Sequence, residues 1–404
     1  MKLHKAFKFE LIPTDHQQWL FRCAAGACRF VYNKGLNEKK LHYLQTGKSL
    51  SIYAIMKQLT QKKKVAETAW LANAPSQSLQ QSLFHLDTAF QRFFDKKSGY
   101  PKQKERGDGD SFSYPSNVKL EEANARVYLP SIGWVRYRKS QKITGDLKGA
   151  TISYYAGKWF ISLKTEQDIT PPFHSNAGSE IGIDMGVAHF ATLSNGEHIK
   201  ALNSLKNKAE KLAKYQRRMA RKKKGSQNWK KAKDRVSRIH RDIRNARRNF
   251  QHQLSAELTT KYEQIYVEDL RIGNMTRSSK GTIDNPGKRV RQKSGLNKAI
   301  LDQGWGEFIR QLQYKAVWKG GSVHFVPPAY TSQTCPHCGH VAKENRPTQA
   351  LFHCVSCHYE NNADVVGAIN ILKRGQRWLA CGGSVQLDNP MKQESLSLTK
   401  PQKV

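Results

Sequence analysis

The chain has 404 residues, with 68 Lys and Arg against 32 Asp and Glu, a net charge of +36. A hydrophobic content of 38% with 10% aromatics is enough to bury a core. That excludes a wholly disordered chain, and the length suggests about two to four domains. No apolar run approaches the roughly 18 residues of a membrane span, and the opening MKLHKAFKFELIP has no apolar signal core. The expected protein is cytoplasmic, without a membrane partner, and its charge calls for a polyanion.

In chain order, residues 2–12 alternate as a short strand that stops at Pro13. From Asp15 to about Phe94 the pattern turns helical. Leu20, Ala24, Ala27 and Val31 form one apolar stripe, and Leu79, Leu83, Leu86, Phe90 and Phe93 form a second. Residues 96–117 are rich in Gly, Lys, Pro and Ser and are predicted to be a linker. Residues 118–165 return to short β runs, spaced like a small antiparallel barrel or sheet that closes at Pro171-Pro172. A second block opens at Glu180 with a strand pair. Basic helices, a strand at 263–268, a loop, a helix at 304–319 and a strand at 322–326 follow. The tail from Gly375 is predicted to be mobile.

The charge is not uniform. Residues 206–248 hold 19 Lys and Arg against 3 acids, which is 16 of the 36 net charges. Arg217, Arg218, Arg221, Lys222, Lys223 and Lys224 lie in its first half. In the second half Arg235, Arg238, Arg241 and Arg244 recur every three residues, followed by Arg247 and Arg248, with Val236, Ile239 and Ile243 between them. Two helices with a basic and a narrow apolar face, joined near Gly225-Ser226, would line a groove for phosphates. Such a groove does not distinguish RNA from DNA.

Four of the seven cysteines form two CxxC pairs, Cys335/Cys338 and Cys354/Cys357, separated by fifteen residues. Each turn can aim two thiolates at one tetrahedral zinc, and the span suits a β-hairpin between them. Four thiolates leave no open position, so this zinc is structural. His337, His340, His353 and His358 crowd the site as bystanders. Cys23, Cys28 and Cys381 lack partners at metal spacing and are predicted to be buried or free thiols.

Three acids stand at element ends. Asp184 closes the apolar run of EIGIDMGV, Glu268 follows the run QIYV beside Asp269, and Asp364 opens the helix VVGAINIL. Each alone has an ordinary reading; for Asp364 it is a helix N-cap. Together, an acid on a first strand, one ending a later buried strand and one on a late helix make the arrangement of an RNase H-like site. Clustered carboxylates repel until they hold divalent cations, and oxygen ligands without His favour Mg²⁺ or Mn²⁺. These residues point to metal-dependent hydrolysis of phosphodiesters.

Eight segments, in order, resemble the TnpB (OrfB) family of transposon-encoded RNA-guided DNA endonucleases, related to type V CRISPR effector nucleases. They are CRFVYN at 28–33, SLQQSL at 78–83, GIDMGV at 182–187, RRMARKKKGSQNWKKAK at 217–233, VEDL at 267–270, GWGEFIRQLQYKA at 304–316, PPAYTSQTCPHCGH at 327–340 and NADVVGAINIL at 362–372. The resemblance implies an α+β multidomain fold with a split RNase H-like (RuvC) nuclease domain at 173–330 and 361–380, into which a four-cysteine zinc finger at 331–360 is inserted. It also implies a β-barrel wedge domain at 1–13 and 111–172, a helical recognition lobe at 14–110 and a flexible tail at 381–404. The implied catalytic acids are Asp184, Glu268 and Asp364, holding magnesium or manganese, with one zinc in the finger. The implied partners are a guide RNA from the transposon end and double-stranded target DNA, cut beside a short motif, with one protein on one RNA in the nucleoid. The helix holding Gln77 and Gln80 could read that motif. The basic segment Gly273–Gly295 matches a region that gates the nuclease and is read as a mobile lid.

Three positions depart from the family pattern: Asn249 where relatives carry Asp, His358 where Gly is usual, and Val366 where Asn is common. Other readings remain open: a guided binder that no longer cuts and acts as a repressor, a transposase that joins DNA ends, and a zinc-bearing RNA-binding protein. The three intact acids argue against the first and the last, and the finger placed before the third acid argues against the second.

Overall fold

The structure is a computed structural model that describes residues 1–107, 109–170 and 172–380. Two compact units divide it at Ile169/Thr170. The predicted tail at 381–404 and Cys381 lie outside the described residues. No helix among those described is long and apolar enough to cross a membrane.

In the first unit, β1 (Lys2–Ile12) ends before Pro13, and Thr14 caps α1 (Asp15–Thr46). The Thr14 Oγ1 accepts from the Gln17 N–H, and the Gln17 side chain accepts from the Thr14 N–H, a reciprocal capping box. Helices α2 (Ile52–Lys62) and α3 (Ser76–Phe94) follow. The α3 stripe Leu79, Leu83 and Leu86 is fully buried against α1. Seven strands form one antiparallel sheet in the order β2-β6-β7-β1-β5-β4-β3: β2 (Ser111–Tyr114), β3 (Lys119–Glu121), β4 (Arg126–Leu129), β5 (Gly133–Tyr137), β6 (Asp146–Tyr155) and β7 (Lys158–Asp168) join β1. Among the described residues β2 and β3 are edges and do not pair with each other, so hydrogen bonds do not close this sheet into the expected barrel. The predicted linker needs correction too, because β2 lies inside 96–117 and buries Phe112 and Tyr114. Cys28 is buried and donates to the Ser78 carbonyl (3.3 Å), whereas Cys23 is exposed.

The second unit is built on a mixed sheet ordered β10-β9-β8-β11-β12: β8 (Glu180–Asp184), β9 (His189–Leu193), β10 (His198–Lys200), β11 (Gln264–Glu268) and β12 (Ser322–Val326). Strands β8, β11 and β12 run parallel, and β9 returns antiparallel to β8. Parallel central strands are buried on both faces and read as continuous apolar runs, as IGI and IYV do. Between β10 and β11, α4 (Ala209–Ala220) and α5 (Gln227–Lys261) form a hairpin. After β11 come α6 (Ile272–Met275), α7 (Val290–Gln303) and α8 (Trp305–Trp318). The chain then passes the cysteines, with β13 (Leu351–His353) and β14 (Glu360–Asn362), into α9 (Ala363–Ala380). Helix α9 lies on β8 so closely that any side chain at Gly182 would collide with the Ala368 carbonyl.

Two sequence expectations change here. The loop predicted through Gly295 already contains the first turns of α7, held to α6 because the Lys293 ammonium donates to the Met275 carbonyl (2.7 Å). Residues 375–380, expected to be mobile, are the last turns of α9, with Gly375 packed under the Tyr266 ring.

Candidate active site

The strand ends of the second unit do most of the placing. Residues alternate sides along β11, so Glu268 turns inward while Asp269 is exposed and donates its N–H to the Val326 carbonyl. Asp184 ends β8, the parallel neighbour of β11. Asp364 arrives on the first turn of α9. It is not the N-cap that its position suggests: the Asn362 side-chain oxygen accepts from the Asp364 N–H (2.9 Å) and the Val365 N–H (3.3 Å), which leaves the Asp364 carboxylate to face the site. At Gly367, one turn along, an added Cβ would sit 3.0 Å from the Asp184 carboxylate, so a larger residue there would push that carboxylate aside.

The three acids line one open cavity of about 300 Å³. Its other walls include Thr331, Ser332, Arg346 and Gln349. Burial, then the facing Glu268 and Asp364 carboxylates, push the Asp184 carboxyl up to about 7, against the opposing pull of Arg346 and the Met185 N–H. Burial also raises Glu268, although the Thr331 hydroxyl (2.5 Å) and the Arg374 guanidinium hold it down in part. Burial is the main cause in both acids, and at Asp184 the neighbouring carboxylates add to it.

The residues between the CxxC pairs supply a partial counter-charge. Arg346 donates to Asp364 Oδ1 (3.1 Å) and to the Gln349 carbonyl (2.7 Å). Its neighbour Asn345 is fully buried, donates to the Gln333 and His340 carbonyls and accepts from the Val355 N–H. Asn370 on α9 donates to the Thr331 and Thr334 carbonyls, tying the third acid's helix to the approach of the first knuckle. Sequence reading missed Arg346 and Thr331, because partners 18 and 63 residues away leave no local pattern. The NxD spacing of Asn362 and Asp364 could have revealed the true cap.

The four cysteine sulfurs lie within 4.8 Å of one another, with Cys335–Cys357 and Cys338–Cys354 at 3.6 Å. Among the described residues this is the group of candidate metal ligands that closes to such spacing; the acids surround a wider space. Both knuckles use the same turn, with the Gly339 N–H on the Cys335 carbonyl and the His358 N–H on the Cys354 carbonyl. Gly339 has φ +77° and His358 φ +57°, so the histidine occupies a left-handed position where it costs about 1 kcal/mol relative to glycine. Val366 is fully buried against Cys335, Phe352, Cys354 and Ala363, which accounts for an apolar residue there. Asn249 is exposed.

The basic hairpin differs from expectation. Leu212 of α4 packs with Val236, Ile239 and Ile243 of α5, so the apolar stripes seal the two helices together. The charges therefore lie on the hairpin's outer faces instead of lining a cleft between the helices. Arg217, Arg218, Arg221, Lys222, Lys223, Lys224, Arg235 and Arg238 are exposed, whereas Arg241, Arg244 and Arg248 are half-buried. Arg247 serves the fold: it donates to the Leu301 carbonyl (2.8 Å) and lies 3.9 Å from Asp302. In the first unit, Gln80 is exposed and Gln77 donates to the Ser116 hydroxyl (3.1 Å).

Comparison with known proteins adds to this geometry. The family model OrfB_IS605, "Probable transposase", matches residues 161–279, and "Cas12f1-like, TNB domain" matches 305–371, which includes all four cysteines. A third model, "Helix-turn-helix domain", matches 1–48, a segment that here forms β1 and the single helix α1. The chain is 47% identical over 394 residues to "Putative RNA-guided DNA endonuclease InsQ" of Escherichia coli (strain K12), covering 98% of both. The chain belongs to the TnpB (OrfB) family. A second relative, "Putative RNA-guided DNA endonuclease" of Streptomyces pristinaespiralis, is 32% identical over 390 residues, covering 95% of this chain and 92% of its own. The solved "Cas12f1-sgRNA-target DNA complex" superposes with a TM-score of 0.55 at 13% identity, over 92% of this chain and 98% of that one. This chain and that effector thus share a fold.

Proposed function

We propose that this TnpB protein is an RNA-guided DNA endonuclease that hydrolyses target phosphodiesters at the cavity of Asp184, Glu268 and Asp364. The observation that carries the reading is the convergence of three acids from β8, β11 and α9 on one open cavity, where burial and mutual repulsion raise Asp184 to about 7. Such a donor set fits Mg²⁺ or Mn²⁺: it is all oxygen, over-supplied with negative charge and wide enough for two ions and a phosphate. Divalent cations, when bound, supply Lewis-acid polarisation of the phosphate and neutralise charge on the attacking and leaving oxygens.

The remaining work belongs to the chain. Thr331 orients Glu268 through its hydroxyl, and Asn362 takes over helix capping so that Asp364 stays available. Arg346 donates to Asp364 at the cavity wall, and its guanidinium would be free to bind a phosphate oxygen if a cation took over that carboxylate. In this reading residues 173–330 and 361–380 form the split nuclease domain, with 331–360 as its finger, held by one structural zinc on Cys335, Cys338, Cys354 and Cys357. The sheet of the first unit, at 1–13 and 111–172, serves as the wedge and 14–110 as the recognition lobe, with Gln77 and Gln80 beside the target motif. The exposed arginines and lysines of the α4–α5 hairpin grip nucleic-acid backbone, while pairing with a guide RNA selects the target. One protein acts on one RNA, in the cytoplasm at the nucleoid.

Purification from a host carrying the transposon tests this reading. The expected result is a defined co-purifying RNA and magnesium-dependent cleavage of DNA that matches it. A nucleic-acid-free preparation that cuts DNA without any RNA would refute the guided mechanism.

A further inference from the structure

The outer face of β3, β4 and β5 carries a pattern that the cleavage reading does not use. Cross-strand register aligns Lys119 with Tyr128 and Tyr128 with Trp134 in one row, and Glu121 with Arg126 and Arg126 with Arg136 in the next. Alternation puts all six side chains on one face, while Val127, Val135 and Leu129 fill the core on the other. The rings of Tyr128 and Trp134 meet edge-to-face at 5.6 Å, the Lys119 ammonium lies 5.8 Å from the Tyr128 ring, and the Arg126 guanidinium lies 4.7 Å from the Trp134 ring. Glu121 accepts from Arg126 (2.6 Å), so the face keeps an excess of positive charge from Lys119 and Arg136. Trp134 is 40% exposed, and its strand is pinned from the other side by the Gln17 amide donating to the Trp134 carbonyl (2.8 Å).

Cation–aromatic pairs on a surface are commonly mere packing. Here, however, two neighbouring rings and three cations occupy a rigid sheet face that is open to solvent, on a chain of net charge +36. We infer that this face is a stacking platform for unpaired bases of single-stranded RNA: bases displace Lys119 and Arg126 from the rings they now cover, Tyr128 and Trp134 take the base faces, and Lys119 and Arg136 take phosphates while Arg126 stays with Glu121. A duplex hides its base faces, so the chemistry selects single strands. The choice of RNA rests on the proposed function, in which a guide RNA is the single strand present before any DNA is opened.

Ultraviolet crosslinking of the purified protein–RNA complex, followed by tryptic mass spectrometry, should place a ribonucleotide adduct on the peptide Val127–Arg136. In a parallel arm, binding of a labelled mixed-sequence 12-nucleotide RNA is measured at raised salt, where phosphate contacts weaken. Trp134→Ala should lower affinity about tenfold, Trp134→Phe should restore most of it, and the double variant with Tyr128→Ala should lose more. Thermal melting, expected to shift little because Trp134 and Tyr128 are only partly buried, separates lost stacking from lost fold. Unchanged affinity in Trp134→Ala, or adducts only elsewhere, overturns the platform; equal affinity for single-stranded DNA of the same sequence overturns the assignment to RNA. The oligonucleotide arm stands even if no RNA co-purifies, so it fails independently of the guided-nuclease reading.

Discussion

Two clusters of potential anions face each other across α9's first turns, and they are organised in opposite ways. The cysteines bring four sulfurs within 4.8 Å around a space for one ion, with both turns closed by backbone hydrogen bonds. The acids surround about 300 Å³, draw on β8, β11 and α9, and lean on an arginine from the finger for partial neutralisation. A closed thiolate set holds an ion to hold a fold, whereas an open carboxylate set leaves room for substrate and water. The link between them is physical, because the chain between the knuckles supplies Arg346.

The sharpest way to break this contrast is to remove one anion from each cluster. Asp184→Ala should lower magnesium-dependent cleavage about a thousandfold or more while melting temperature and guided DNA binding stay near those of the parent. Full cleavage by this variant would remove Asp184 from the chemistry. Cys335→Ser with Cys354→Ser should instead abolish zinc in metal analysis and expose residues 331–360 to proteolysis. Because Arg346 goes with the finger, cleavage should fall too, and a zinc-free parent would refute the finger.

Titration separates the clusters more finely. The Asp184 carboxyl sits at about 7 against an ordinary 3.8, so in metal-free protein the folded state keeps a proton that the unfolded chain gives up. Its contribution to stability is complete below pH 3.8 and is lost as pH rises to about 7. Melting temperature in chelator should therefore fall across that window, and excess magnesium should flatten the slope; the same slope with and without cation would contradict the assignment. The smallest expected effect is at Thr331. Thr331→Val deletes the hydroxyl donated to Glu268, worth about 1.5–3 kcal/mol as a bond to a charged group. The magnesium concentration for half-maximal cleavage should rise severalfold, with zinc content unchanged.

Much of this was legible from local pattern. The period-2 run of 2–12, the α3 stripe, the apolar runs before Asp184 and Glu268, and the CxxC spacing each follow from chemistry within a few residues. What escaped lacked that locality. Strand β2, SFSY, is four residues set among Gly and Pro, and α7, VRQKSGLNKAILDQ, has too few apolar residues and an internal glycine to show a stripe. The Arg346–Asp364 pair and the Thr331–Glu268 bond join residues whose neighbourhood exists only after folding. Arg247 looked like its basic neighbours, yet the Leu301 carbonyl claims it. Asp302, buried beside it, accepts from the Ser204 hydroxyl and the Leu205 N–H and so anchors the start of the basic hairpin, a role its sequence context does not advertise.

Manganese located by anomalous scattering in the protein–RNA complex tests the central claim most directly. The expected peaks lie between the carboxylates of Asp184, Glu268 and Asp364, with Arg346 displaced from Asp364. A cavity without manganese at saturating concentration, with the guanidinium still on Asp364, would contradict it.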